Sequence, residues 1–114
     1  MALAIGHVLA DFPLQGPFIA DAKNRHADLS KYFGNDTPSG VWIHALTGHA
    51  LIHAGAVWLI TGSAVLGVIE LVLHWIIDYL KCERWIGFNA DQILHYVCKL
   101  IYAMMIYLGV YWIG

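Results

Sequence analysis

Residues 41–81 read VWIHALTGHALIHAGAVWLITGSAVLGVIELVLHWIIDYLK and contain two apolar runs in direct succession. Each run, 41–62 and 63–81, is about as long as the ~20 residues that a helix needs to cross ~30 Å of hydrocarbon. Only the short segment Thr61-Gly62-Ser63 joins them, so the two helices must form an antiparallel hairpin. This hairpin is the predicted centre of the fold.

Two further apolar runs flank the hairpin, over residues 1–20 and about 90–113. The last run is long enough to cross a membrane, whereas Asp11 and Pro13 interrupt the first, and proline ends or kinks a helix. No positive residues precede the first run, so we interpret it as a retained helix rather than a signal peptide. The sequence predicts one all-α domain over residues 1–114, an integral membrane bundle of four helices whose first helix is short and interrupted by proline.

Positive charge predicts the orientation of this bundle. The long polar loop 21–40 holds three of the six basic residues, and two more lie between the third and fourth runs. These five residues are Lys23, Arg25, Lys31, Lys81 and Arg84. If the helices alternate in direction, all five lie on one side of the membrane, and cytoplasmic loops are enriched in lysine and arginine. We therefore predict a cytoplasmic loop 21–40 and both termini outside.

The composition excludes several classes of protein. Apolar residues make up 60% of the chain and charged residues 12%, against roughly 45–50% and about 25% in soluble domains, so part of the surface must face lipid. This argues against a soluble enzyme, a disordered tail and a disulfide scaffold. A formal net charge of −2 provides no basic surface, so nucleic acid is not an expected partner. Cys82 and Cys98 match no metal-binding spacing and are interpreted as unpaired thiols.

Histidine and aspartate residues lie inside the apolar runs, at similar distances from the cytoplasmic ends. Three His/Asp pairs have i, i+4 spacing, which places both side chains on one stripe of a helix. At a rise of ~1.5 Å per residue, these pairs and two histidines of the second run lie within roughly 5–12 Å of one membrane face. The residues are His7, Asp11, His44, His49, His74, Asp78, Asp91 and His95.

Such groups indicate a shared cation. Ionisable groups inside a membrane are costly unless they find partners in the bundle interior, and helix bundles build metal sites from inward-facing ligands of this kind. We predict one or two divalent transition metal ions, zinc first, with iron, manganese or cobalt as alternatives. A deep layer would hold His7, His49, His74 and His95, and a shallow layer Asp11, His44, Asp78 and Asp91. A metal-free proton or ion path and purely structural hydrogen bonding are the other interpretations.

Three more ionisable residues lie within the runs. Glu70 and Lys99 are about equally far from the cytoplasmic ends of adjacent helices, and an ion pair between them would lower the cost of burying both. The alternative is that Lys99 extends to the interface. His53 shares a face with His49, and its role is left open.

The order of these residues resembles a known family. The motifs run His7-x-x-x-Asp11-Phe12-x-x-Gln15, Lys23, the histidines of the second run, His74-x-x-x-Asp78-x-x-Lys81 and Asp91-Gln92-x-x-His95. Over nearly the whole chain they resemble the small membrane proteins of bacteria and phages in the domain-of-unknown-function 3307 family. The resemblance implies a multi-pass protein of the bacterial inner membrane and no particular activity. More loosely, the layout is similar to membrane-bound metal-dependent hydrolases.

This looser similarity gives the first of three functional hypotheses. A metal-dependent hydrolase would cleave a lipid or headgroup ester at the cytoplasmic interface, with Asp91 or Asp11 as general base. Four residues at helix ends would then hold a phosphate, headgroup or substrate, namely Gln15, Lys23, Lys81 and Gln92. The alternatives are a non-catalytic membrane modulator with a structural metal, and a metal or proton carrier. Membrane lipid is the expected partner, and homo-oligomerisation would add to the small area that four short helices bury.

Overall fold

The structure, a computed structural model, describes residues 1–109, and these contain helices and no strand, which confirms the all-α prediction. The helices are α1 (Ala2–Asp11), α2 (Gly16–Ala22), α3 (Ser30–Phe33), α4 (Val41–Thr61), α5 (Ala64–Cys82) and α6 (Phe88–Tyr107). The end of the predicted fourth run, residues 110–113, lies outside the described residues.

The predicted first run, residues 1–20, consists of two helices, α1 and most of α2. Pro13 lacks a backbone N–H and clashes with a preceding helical turn, so α1 ends at Asp11, as the proline predicts. The chain then turns at Gly16, whose φ of +70° is left-handed and carries no steric cost for glycine. Pro17 lies in the first turn of α2, where a missing N–H costs nothing.

The helices α4 and α5 form the hairpin that the sequence predicts. Gly62 ends α4 with a φ of +72°, and its N–H donates to the carbonyl of Trp58. The Oγ of Ser63 then caps α5 by accepting a hydrogen bond from the N–H of Leu66 at 3.1 Å. Because glycine and serine satisfy these two helix ends, the chain reverses within two residues and α4 packs along α5.

The two hairpin helices lie close together at Gly67. A Cβ atom at this position would lie 3.1 Å from the carbonyl oxygen of Ala54 and 3.2 Å from the Cβ of Trp58. Backbone atoms cannot move aside as a flexible side chain can, so this register of α4 against α5 requires glycine.

The helices α1 and α6 complete a four-helix arrangement. α1 packs against α4 and α6, and α6 also packs against α5. Apolar clusters lie at both ends of the interior. One consists of Leu3, Val57, Leu66 and Tyr102, and the other, under α2, consists of Ala22, Leu29 and Ala45. The part of the interior between them is polar.

Charged residues are either buried or confined to two connected segments. The buried ones are Asp11, Lys23, Glu70, Asp78, Asp91 and Lys99. All the others lie within residues 21–36 and 81–84. Hydrogen bonds from Arg25 and His26 to Glu83 connect these two segments. The hydrogen bond from Arg25 has the largest effect, that from His26 the next largest, and they lower the pKa of Glu83 to about 2.

The outer faces of the long helices are apolar. Exposed side chains include Leu51, Ile52 and Leu59 on α4, Val68, Val72 and Ile76 on α5, and Ile93, Leu100 and Met104 on α6. By length and composition, α4 is the one helix among residues 1–109 that meets the requirements of a membrane span, and α1 is a shorter apolar helix. The buried charges described above lower the mean hydropathy of α5 and α6.

We expect Gly67→Val to destabilise the protein by about 1–3 kcal/mol, the usual cost of forcing extra atoms into a packed core. The matched control is Gly55→Val on α4, which changes helix propensity in the same way but adds a side chain where no atom lies within 4 Å. Thermal unfolding of both variants, followed by circular dichroism, measures the difference. Equal melting temperatures would contradict the close approach of α4 and α5.

Candidate metal centre

A cluster of buried histidine and aspartate side chains fills the polar interior, with contributions from α1, α4, α5 and α6. Each of these helices contributes two residues at i, i+4 spacing, which places both on the inward face. This histidine–aspartate cluster consists of His7, Asp11, His49, His53, His74, Asp78, Asp91 and His95. Asp11 is the most accessible member, at 7% exposure, and the others are at 1% or less.

His49 lies at the centre of the cluster. Its Nε2 is 3.2 Å from Asp11 Oδ1, 3.1 Å from Asp78 Oδ2 and 3.2 Å from His74 Nε2. A neutral imidazole has one N–H, which satisfies one of these three neighbours. Lys23 Nζ donates to Asp78 Oδ2, so a single N–H of His49 remains for the other two neighbours, Asp11 Oδ1 and His74 Nε2.

The orientation of His74 adds a further acceptor to this position. Its Nδ1 is 3.0 Å from Glu70 Oε1, and because a carboxylate only accepts, Nδ1 donates. In the neutral ring the Nε2 lone pair then faces His49. His53 stacks on His74 with ring centroids 3.7 Å apart, and its Nε2 is 3.4 Å from Asp11 Oδ1 without making a hydrogen bond.

The ligand atoms described so far, on Asp11, His49, His53 and His74, form a first group. A second group lies beside it, on α5 and α6. The Nε2 of His95 is 3.1 Å from Asp78 Oδ1 and 3.3 Å from Asp91 Oδ1. Nε2 carries at most one hydrogen, which can donate to Asp78 Oδ1, and Asp91 Oδ1 is a buried oxygen that accepts no hydrogen bond from residues 1–109. Asp78 thus contacts the first group through Oδ2 and the second through Oδ1.

Gln92 connects α6 to α1. Its Oε1 accepts a hydrogen bond from His7 Nε2 at 3.1 Å, and its Nε2 donates to Asp11 Oδ2 at 2.9 Å and to Asp91 Oδ2 at 3.1 Å. His7 Nδ1 is buried and has no hydrogen-bond partner. Gln92 itself is half-buried, so it lies between the cluster and the surface.

The other predicted substrate residues also adjoin the cluster. Lys23 is buried, and its Nζ donates to Asp78 Oδ2 at 3.0 Å. Lys81 is half-buried, with Nζ 3.7 Å from Asp91 Oδ2. Gln15 reaches α1 only by donating to the backbone carbonyl of Asp11 at 3.0 Å. Two ammonium groups thus lie against the carboxylates of α5 and α6.

The structure brings together seven of the eight predicted ligands and leaves His44 out. His44 lies on α4 with an exposed side chain, because residues five apart diverge by about 140° on a helix. The predicted shallow layer therefore lacks His44, and His53, nine residues further along α4, joins the cluster beside His49. The signal for His53 was its i, i+4 spacing from His49, which places the two on one face.

The predicted pair of Glu70 and Lys99 is present, as part of a larger network. Lys99 Nζ is 2.6 Å from Glu70 Oε1, and the hydroxyl of Tyr102 donates to Glu70 Oε2 at 2.8 Å. His74 donates to the same carboxylate. Glu70 therefore joins the ion pair to the histidine–aspartate cluster, a connection that helix spacing alone did not reveal.

Comparison with known proteins identifies a family without assigning a reaction. The family model described as "Protein of unknown function (DUF3307)" matches residues 1–112, and this confirms the resemblance seen in the motifs. No curated protein and no solved structure matches the chain. Function has to be argued from the geometry above.

We expect Lys99→Met to cost about 3–5 kcal/mol of stability, because it leaves the Glu70 carboxylate buried without its cation. The double variant Glu70→Gln/Lys99→Met should recover most of that loss, since it leaves no buried charge unpaired. The amide oxygen can accept from His74 Nδ1, and the amide N–H can donate to the Tyr102 hydroxyl oxygen. Unfolding of the single and double variants measures the recovery. If the double variant is as unstable as Lys99→Met, the pairing does not account for the burial of Lys99.

Proposed function

The chain belongs to the DUF3307 family, and we propose that it is an integral membrane metalloprotein that hydrolyses an ester or phosphoester of a lipid headgroup. The proposal has three parts: a membrane location, a divalent metal bound by the histidine–aspartate cluster, and hydrolysis at the cytoplasmic end of the helices. Each part has its own support and its own test.

The membrane location is supported by the distribution of polarity. A water-soluble domain buries apolar side chains and keeps charges outside, whereas here histidines and carboxylates are inside and the long helices are apolar outside. Charged residues in membrane proteins face the bundle interior and pair there, as Glu70 and Lys99 do. We propose that α1, α4, α5 and α6 are embedded in the bacterial inner membrane, with residues 21–36 and 81–84 on the cytoplasmic side.

The metal is supported by the distances around His49, the observation on which the function depends. Ligand atoms about 2.0–2.2 Å from a tetrahedral ion are about 3.3–3.6 Å from one another. His49 Nε2 is 3.2 Å from both His74 Nε2 and Asp11 Oδ1, and His53 Nε2 is 3.4 Å from Asp11 Oδ1. Imidazole and carboxylate ligands suit zinc, with iron, manganese or cobalt as alternatives.

Hydrolysis is supported by the groups around these ligands. A bound metal supplies a Lewis acid and lowers the pKa of a coordinated water toward ~7. A carboxylate of the cluster, Asp11 or Asp91, would accept the proton of the attacking water. Lys23 and Lys81 would attract an anionic headgroup, and Gln92 and Gln15 would orient the scissile group.

Metal binding is tested on the full chain purified in detergent. We expect at least one zinc ion per chain by elemental analysis, and Zn²⁺ affinity at least about 100-fold weaker in His49→Ala, because a central ligand is lost. His44→Ala is the matched control, since it removes an exposed histidine from the same helix. Equal metal content in His49→Ala and wild type would contradict the site.

Hydrolysis is tested with the same preparations on phospholipid vesicles, with release of fatty acid, headgroup alcohol and phosphate all measured. Metal-loaded wild type and His44→Ala should release one of these products, whereas His49→Ala should not. Bound metal without any turnover would favour the alternative of a membrane modulator with a structural metal.

Membrane orientation is tested by labelling single cysteines with an impermeant maleimide in a background without Cys82 and Cys98. Ala2→Cys and Asp36→Cys replace exposed residues on opposite sides of the proposed bundle. We expect Ala2→Cys to react in intact cells and Asp36→Cys only after permeabilisation. The reverse pattern would contradict the orientation, and release of the protein by alkaline carbonate would contradict membrane insertion.

A further inference from the structure

The proposed function requires one metal ion, with ligands drawn from Asp11, His49, His53 and His74 so that one coordination position stays open for water. The second group of ligand atoms, on Asp78, Asp91 and His95, is not used by that ion. Its atoms lie within 4.8 Å of one another, and all three side chains are at 1% exposure. The proposed single ion therefore does not explain why the ligand atoms of these three residues lie together.

Asp91 gives the first reason to place a cation in this second group. Its side chain is buried, and within the described part of the chain Oδ1 accepts no hydrogen bond, although it faces His95 Nε2 at 3.3 Å. A buried acceptor without a partner is costly and calls for an explanation in a folded protein. A cation between His95 Nε2 and Asp91 Oδ1 would satisfy this oxygen.

Asp78 gives the second reason, because its two oxygens face in different directions. Oδ2 is 3.1 Å from His49 Nε2 and 3.5 Å from His74 Nε2, in the first group, whereas Oδ1 is 3.1 Å from His95 Nε2. A carboxylate placed in this way is suited to bridge two metal ions. Paired ions in hydrolytic enzymes are about 3.5–4 Å apart, and one carboxylate spans that separation.

We propose that the cluster is a dinuclear metal centre, in which Asp78 bridges the ions and Asp91 and His95 hold the second. This inference rests on the proposed function, since it assumes the first ion. With Asp91 as a ligand, the proton of the attacking water goes to Asp11 Oδ2, the oxygen that faces Gln92.

The charge of such a centre selects the substrate class. Two divalent ions outweigh the three carboxylates of the cluster, and Lys23 and Lys81 add positive charge beside Asp78 and Asp91. A neutral carboxyl ester leaves this charge unbalanced, whereas a phosphoester anion balances it and offers oxygens to both ions. In the reaction, the oxygen of the attacking water would bond to phosphorus as the bond from phosphorus to the leaving oxygen breaks, and Asp11 would return the proton to that leaving oxygen. The ions would supply Lewis acidity.

Manganese provides the test, because two Mn²⁺ ions bridged by a carboxylate give an exchange-coupled paramagnetic resonance spectrum. The chelator-treated full chain in detergent is titrated with Mn²⁺, and bound ions are counted from the free signal. We expect two ions per chain and a coupled spectrum in wild type, and one uncoupled ion in Asp91→Asn. Glu83→Gln, a carboxylate change near the same end of α5 and outside the cluster, should keep two coupled ions.

The outcomes separate the two proposals. Wild type without bound Mn²⁺ or Zn²⁺ overturns the proposed function together with the dinuclear centre. One ion in wild type overturns the dinuclear centre alone, and two coupled ions in Asp91→Asn overturn the role of Asp91. Asp78→Asn provides a second test. Loss of the exchange coupling between the two Mn²⁺ ions, in a variant of unchanged helical content, supports the bridging role of Asp78. Retained coupling in Asp78→Asn overturns it.

Discussion

The free-energy cost of burying carboxylates and imidazoles is the constraint on which this structure depends. Uncompensated charges are expensive in an apolar surrounding, and here partners on the same helix are supplemented by partners on other helices. Asp11 of α1 relies on His49 of α4 and Gln92 of α6, and Asp78 of α5 relies on Lys23 and on His49. The four helices therefore depend on one another through polar contacts, while the apolar clusters close the two ends of the interior.

The polar contacts differ between the two parts of this network. Around Glu70 each carboxylate oxygen has a donor, from Lys99 and His74 on one oxygen and Tyr102 on the other. Within the histidine–aspartate cluster, buried nitrogens of His7, His49 and His53 and one oxygen of Asp91 have no hydrogen-bond partner among residues 1–109. In a network that only connects helices, buried polar atoms are expected to have hydrogen-bond partners. This difference is why the Glu70 network is interpreted as support and the cluster as a binding site.

Features that depend on neighbouring residues could be predicted from the sequence, whereas features that depend on packing between helices could not. Turn residues predict the hairpin and the end of α1 before Pro13, and the period of a single helix predicts the three His/Asp pairs. Both kinds of signal are present in the sequence. The choice between His44 and His53 depends on which face of α4 points inward, and α4 is apolar on nearly every side, so its pattern does not fix that face. The contacts of Glu70 with Tyr102 and of Lys23 with Asp78 depend on how separate helices align. That alignment is a property of the packed bundle.

The tight reversal at Gly62 and Ser63 has a consequence for how the protein is made. Four residues of the cluster lie on the hairpin within 30 residues of one another, namely His49, His53, His74 and Asp78. His7 and its partner Gln92 are 85 residues apart, so α1 leaves the ribosome long before α6 exists. Half of the centre can thus assemble during synthesis, whereas Asp11 must wait for its last neighbour. The last contacts that the cluster can gain during synthesis are therefore those of α6 with α1 and with the hairpin.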